Sequence, residues 1–166
     1  ELGAKVMVCH PGYDRWRFDG HEQLWLEGSV HTWQEVLRHI DRAIPVAVEN
    51  VFEERPDTLS ELLGHFDRDR LMFCFDSGHF NLFSKVSLGA WLMPLCSRIV
   101  EMHLHDNHKT RDDHLPIGQG TFPFRELRSL LDGISGRLVF VAEVHGERQA
   151  LESIEKLKEF LGYHGA

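Results

Sequence analysis

Five short apolar runs recur along this chain, and each carries a histidine, aspartate or glutamate at or near its C-terminal end. They are Lys5–His10 (KVMVCH), Pro45–Val51 (PVAVENV), Leu71–Asp76 (LMFCFD), Ile99–His105 (IVEMHLH) and Arg137–Val144 (RLVFVAEV). Their length and their Val, Ile and Phe content predict β-strands. Amphipathic stretches separate them and predict helices at Thr32–Ala43, Thr58–Phe66, Leu88–Ser97, Phe124–Leu131 and Arg148–Leu161. Pro94 should kink or shorten the third of these. Asp57 and Thr58 start the second, and Gly162 can cap the last, whose Leu151, Ile154, Leu157 and Phe160 form one stripe. Near-continuous apolar strands alternating with helices predict a parallel sheet covered by helices.

Two architectures satisfy that pattern. An open doubly wound sheet gathers its site at one switch point. A (β/α) barrel brings every strand end to a common mouth. Ligand-type residues at all five strand ends favour the barrel, read here as one α/β domain over residues 1–166. A closed barrel needs eight strands and ~250 residues. Five units predict a partial (β/α)8 TIM barrel, its C-terminal portion, with the missing N-terminal strands upstream. The two edge strands would then be unpaired, which predicts self-association or cover from an upstream segment.

Composition narrows the chemistry. The net charge of −8 opposes a generic nucleic-acid binder, and no apolar run is long enough to span a bilayer. Cys9, Cys74 and Cys96 stand far apart, which suits reduced thiols in the cytoplasm. Twelve histidines in 166 residues is a high count, and His103, His105, His108 and His114 fall in one stretch.

In order, the strand ends offer His10, Glu49, Asp76 with His79, His103 with His105, and Glu143; the segment from Asp106 to His114 adds more donors. Imidazole nitrogens and carboxylate oxygens are the ligand set of divalent zinc, manganese, cobalt, iron or magnesium. Converging carboxylates without a cation would resist ionising together. A single acid at a strand end is more often a cap or an ion pair; five such ends together point to a metal. By period-two geometry Glu143 shares a face with Val141, Glu49 with Ala47, and Cys74 with Asp76, where Cys74 serves as a small filler. Glu101 sits one layer below His103, either orienting it or forming a buried ion pair. His105 stands nearer the mouth, as a substrate contact or a ligand. His21, His31, His39, His65 and His164 read as solvated or packing residues, His145 as a loop hydrogen bonder, and His108 has no assigned role. Gly118-Gln119-Gly120 fits a tight loop with amide groups turned toward an anion, although most such pairs are plain turns.

Taken together, Val8-Cys9-His10-Pro11-Gly12, Val48-Glu49-Asn50, Phe75-Asp76-Ser77-Gly78-His79, Met102-His103-Leu104-His105-Asp106, Asp112-Asp113-His114 before Gly118-Gln119-Gly120, and Ala142-Glu143 resemble the xylose isomerase-like TIM-barrel superfamily. That group joins sugar isomerases and epimerases to apurinic-site endonucleases of the endonuclease IV type. The resemblance implies a core metal site of Glu49, Asp76, His103 and Glu143. In endonuclease-type members a second ion would use His79, Asp112 and His114. A third would use His10 with Glu49 as bridge, plus a histidine from an earlier strand that is absent here. One to three ions are therefore implied.

The favoured expectation is a metal-dependent sugar or sugar-phosphate isomerase or epimerase, with Glu49 and Glu143 as acid and base on a small sugar-type substrate. The alternative is a multi-zinc phosphodiesterase acting on abasic DNA, for which Asp112-x-His114 speaks and the lack of a basic, aromatic-studded surface does not. A third is an inactive metal-binding barrel fragment. Arg15, Trp16, Arg17 and Phe18 form the one candidate recognition loop, with Arg15 and Trp16 as substrate contacts.

Overall fold

The computed structural model describes residues 3–134 and 137–163. Its five strands are β1 (Met7–Cys9), β2 (Val46–Glu49), β3 (Leu71–Asp76), β4 (Ile99–Leu104) and β5 (Val139–Ala142), paired in parallel in chain order. The helices are α1 (Arg15–Phe18), α2 (Glu22–His39), α3 (Asp57–Gly64), α4 (Ser77–Phe83), α5 (Leu88–Leu92), α6 (Phe124–Leu131) and α7 (Glu147–Leu161), with a 3-10 helix at Met93–Arg98. This is the expected partial barrel: a curled half-barrel whose strand order never reverses, so the described strands contain no switch point.

Alternation divides each strand between two environments. Val46 and Val48, then Leu71, Phe73 and Phe75, then Ile99, Met102 and Leu104 enter the core beneath the helices, against Leu59, Leu62, Leu63 and Trp91. The opposite face carries Ala47, Glu49, Cys74, Asp76, Glu101 and His103. A register shift at Phe73/Cys74 sets Cys74 opposite Glu101 and Asp76 opposite His103. Both phenylalanines of β3 point into the helix-covered core, while Met72, Val139 and Val141 share the concave face with these residues.

The helices can be set against expectation one by one. The first helix begins at Glu22, ten residues before Thr32, and ends at His39. The Gly28–Thr32 run of weak helix formers hides it, yet Trp25, Ser29, Trp33 and Leu37 repeat every fourth position and are buried. Pro94 does break the third: α5 stops at Leu92 and the backbone tightens into the 3-10 turn. The crossover from β3 to β4 also contains α4, started by the Asp76 carboxylate, which accepts from His79 N at 2.7 Å. Arg15–Phe18, expected as a loop, is a helical turn capped by Asp14. His21, His31, His39 and His65 are exposed, whereas His164 lies outside the described residues.

No described helix is long and apolar enough to cross a membrane. Among the described residues β1 pairs only with β2, and β5 only with β4. Both edges thus present unpaired backbone groups, and neither strand contains a proline. The chain taken alone should sediment as species heavier than its 19.2 kDa monomer. A compact monomer that stays soluble at high concentration would show that the bare edges need no cover.

Candidate metal centre

Parallel register delivers the site. β2, β3 and β4 end side by side, and the chain after β5 continues the pairing, with Glu143 N donating to Leu104 O at 3.3 Å. Glu49, Asp76, His103 and Glu143 each offer one ligand atom, and all four atoms lie within 4.8 Å of one another. That separation suits four donors around one ion at ~2.0–2.2 Å each. His103 Nδ1 stands 2.9 Å from Glu143 Oε2, 3.5 Å from Glu49 Oε1 and 4.0 Å from Asp76 Oδ2.

The histidine is oriented from below. His103 Nε2 lies 3.1 Å from Glu101 Oε1, so Nε2 donates to that carboxylate and Nδ1 is turned toward the mouth. Both readings for Glu101 fit this contact: it orients the ring and, with His103 charged, forms a buried ion pair. His103 Nδ1 and Glu143 Oε2 are both buried without a hydrogen-bond partner of acceptable geometry. Two orphaned atoms facing each other among carboxylates fit a cation between them.

Electrostatics agree. Burial opposes ionisation of Glu49, but His103 and His79 outweigh it and hold the carboxyl well below its usual range. Burial opposes charge on His103 as well; contacts with Cys74, Glu143 and Glu49 win and raise it far above the imidazole range. His79 behaves alike, with Asp112 and Glu49 overcoming burial and raising it to about 11. The cluster holds protons on its imidazoles to offset three convergent carboxylates, which is the charge a divalent ion supplies.

A second group adjoins the first. Asp112 Oδ2 lies 3.3 Å from His79 Nε2 and 3.0 Å from His114 Nε2, so it bridges the two rings. Both rings are turned by backbone carbonyls at Nδ1: Asn50 O at 3.0 Å for His79, Glu143 O at 3.3 Å for His114. His114 has φ 49°, a strained setting for a non-glycine residue. His105, His114 and Glu143 also bring donor atoms within 4.8 Å. His10 sits at the rim, its Nε2 3.7 Å from Glu49 Oε2 and its side chain largely exposed.

Two expected roles are corrected. His105 is fully buried, its Nε2 at 3.0 and 3.1 Å from the two Asp76 oxygens, and so it positions Asp76 and has no exposed surface for a substrate. Its ring stacks on His114 at 4.2 Å. Gly118-Gln119-Gly120 does turn amides toward an anion, but the anion is internal: Asp106 accepts from the backbone NH of Asn107, Gly118, Gly120 and Phe122. Arg15 pairs with Glu54, and Trp16 packs edge-on against Phe52 and Phe83.

Two supporting residues had no assigned role. Asn50 ties β2 to β3 beyond the last strand pair, donating to Asp76 O and accepting from Asp76 N, both at 2.9 Å. Gly78 leaves room for His105, since a Cβ there would lie 2.0 Å from its Cε1. An asparagine and a glycine next to ligand-type residues were the available signals.

A family model described as "Xylose isomerase-like TIM barrel" matches residues 1–160. An uncharacterized protein of Methanocaldococcus jannaschii is 31% identical over 97% of this chain. A crystal structure described as a D-tagatose 3-epimerase-like protein is 30% identical over 97% of this chain, with a TM-score of 0.80. The chain spans 58% of that archaeal relative and 63% of that structure. A Thermus thermophilus protein soaked with ZnCl2 shares the fold, with a TM-score of 0.68, 24% identity and coverage of 99% of this chain and 64% of its own.

Gly78→Ala should cost about 1–3 kcal/mol, the usual range for a side chain forced into filled space, because the displaced His105 ring is the partner of Asp76. Chemical denaturation gives the loss, and metal titration should show weakened binding. Wild-type stability together with unchanged metal affinity would remove His105 from the site's support.

Proposed function

Because this chain belongs to the xylose isomerase-like TIM-barrel family, we propose that it is a divalent-metal-dependent isomerase or epimerase of a small sugar-type substrate. The observation that carries this reading is the convergence of Glu49, Asp76, His103 and Glu143 on one point, with two orphaned atoms among them. The similar structures described as a D-tagatose 3-epimerase-like protein and as D-psicose 3-epimerase with D-tagatose agree with a sugar substrate, the second through its fold alone.

A divalent ion held by these four side chains would polarise the carbonyl and hydroxyl oxygens of the sugar. Asp76 and His103 then serve as fixed supports: Asp76 is locked by Asn50 and His105, and His103 by Glu101. Glu49 and Glu143 remain to move a proton. Nearby imidazoles keep both ionised, His103 chief among them for Glu143. Glu143 has a side-chain exposure of 37% against 5% for Glu49, so it is the more accessible acceptor. One carboxylate takes the proton from the carbon beside the carbonyl. Delivery of a proton to the same carbon by the other carboxylate, which must then be in its acid form, inverts it; return of the first proton to the former carbonyl carbon, with the neighbouring hydroxyl's proton passing to the former carbonyl oxygen, moves the carbonyl.

A multi-metal phosphodiesterase is the second reading, favoured by Asp112 bridging His79 and His114. The net charge of −8 weighs against duplex DNA as its substrate.

Glu143→Gln and Glu49→Gln should each lower kcat on ketose sugars by about 10²–10⁴-fold, the range for a general acid or base. Glu143→Gln should leave more of the metal bound, since Glu49 is the more buried. Hydrolysis of abasic DNA without turnover of any ketose would establish the second reading instead.

Metal uptake near neutral pH should release protons, because His79 stays protonated up to about 11 in the ion-free fold and must be neutral to bind. The sign follows from linkage: the raised histidine pKa stabilises the ion-free protein fully below its unfolded value, and that stabilisation is lost as pH rises through about 11. Affinity for the metal should therefore fall on acidification. Calorimetry in buffers of different ionisation enthalpy measures the proton count, and a count of zero would show that the histidines are not ligands.

A further inference from the structure

The end of the half-barrel opposite the metal centre carries a groove of about 580 Å³. It lies where α2 ends and where the chain enters β2 and β3, so its residues precede strands whose far ends hold the ligand set. From Arg70 to Asp76 the chain runs the length of β3, a rise of about 20 Å at ~3.3 Å per residue. The groove's size falls in the range of small-molecule sites, ~300–1,000 Å³. Arg38, Arg42 and Arg70 line it together with His65, in a chain whose net charge is −8. Asp67 is the one acid in the lining, and Arg98 answers it: burial and the charge of Arg68 lower the Arg98 pKa, while Asp67 raises it.

Capping accounts for part of this charge. Arg98 is engaged, donating to the carbonyls of Phe66, Asp67 and Leu71. Arg70 Nη2 donates to Leu37 O in the last turn of α2, and Arg38 pairs with Glu35, where cations suit the helix's negative end. Arg42 has no such explanation. It stands three residues beyond α2, is exposed, and makes no ion pair among the described residues; the Asp41 carboxylate beside it accepts from Ala43 N instead. Next to the guanidinium groups, Leu37, Ile40 and Phe66 form a less exposed apolar floor. A guanidinium fork matches phosphate oxygens in pairs, and three of them can hold a diphosphate. Bare phosphate would leave the floor uncovered, whereas a flat heteroaromatic base would cover it. The exposed Gln34 adds an amide donor and acceptor, the complement of a base edge.

We propose that this groove binds a nucleoside diphosphate, with its phosphates among Arg38, Arg42 and Arg70 and its base on Ile40 and Phe66. No metal-centre residue lines the groove, so binding here does not depend on the reaction proposed at the mouth.

ADP, adenosine and inorganic phosphate should be titrated by calorimetry into the protein without added divalent metal. ADP should bind with one-to-one stoichiometry, and more tightly than either of its parts by about tenfold or more. Arg42→Gln removes a charge that the fold does not use, and should weaken ADP about tenfold, the size expected for one charge-assisted contact. Arg68→Gln removes an exposed charge of the same neighbourhood that does not line the groove, and should leave the affinity within about twofold. Glu49→Gln, at the metal centre, should bind ADP as the parent protein does. Equal losses in Arg42→Gln and Arg68→Gln would reduce the effect to general charge and overturn the inference. Loss in Glu49→Gln with none in Arg42→Gln would place the phosphates at the mouth and overturn it as well. So would inorganic phosphate binding as tightly as ADP, or no binding of ADP at all.

Discussion

The Asp76 carboxylate has no exposed surface, yet three parts of the structure converge on it. It caps α4 through His79 N, receives His105 Nε2 on both oxygens, and faces His103 across the mouth. A buried carboxylate is tolerated only when its oxygens are occupied and its charge is answered. Here the occupation is structural and the answering charge comes from imidazoles, or from an ion in their place. The same side chain therefore ends a strand, starts a helix and completes a candidate ligand set. Asn50 secures its backbone from the β2 side, and the Ser77 hydroxyl secures that of His105, donating to its carbonyl at 2.7 Å.

The surrounding shell follows from that constraint. His105 must reach Asp76 from beneath a helix turn, which is possible only because position 78 lacks a side chain. Its carbonyl and the next residues then enter a long connection that has to return Asp112 and His114 to the mouth. Asp106 holds that connection by collecting four backbone amides, and Gly120 passes so close that a Cβ would sit 2.3 Å from Asn107 O. An internal carboxylate thus does the work of a bound anion in ordering the loop. The metal-facing and loop-ordering acids are chemically alike and differ in what surrounds them: imidazoles for Asp76, amides for Asp106.

Much of this was legible in the chain. Strand positions, the parallel arrangement and the residues at the strand ends follow from hydrophobic periodicity, because a strand covered on both faces must be nearly continuous in apolar residues. The β3 and α6 limits coincide with their expected bounds at Leu71–Asp76 and Phe124–Leu131. Helix α2 was half hidden by weak helix formers, since local propensity there yields to the burial of Trp25 and Trp33. Glu49, Asp76, His103 and Glu143 could be singled out as a set because strand ends in a barrel share one mouth.

What the sequence by itself determined is the inventory and the order: which donors exist, on which strand, and on which face. Period-two alternation is a local property, so it can be read without coordinates. Only the tertiary structure decided what each donor touches. The bulge at Phe73/Cys74 sets the register that brings Asp76 opposite His103, and nothing local to either segment encodes it. His105 became a buried support because Gly78, far away in sequence, leaves space for its ring. The glycine pair turned to Asp106 because both ends of the same connection lie together. Pairing across long separations depends on how strands and loops pack, and that is a property of the whole fold, beyond the reach of any window of residues.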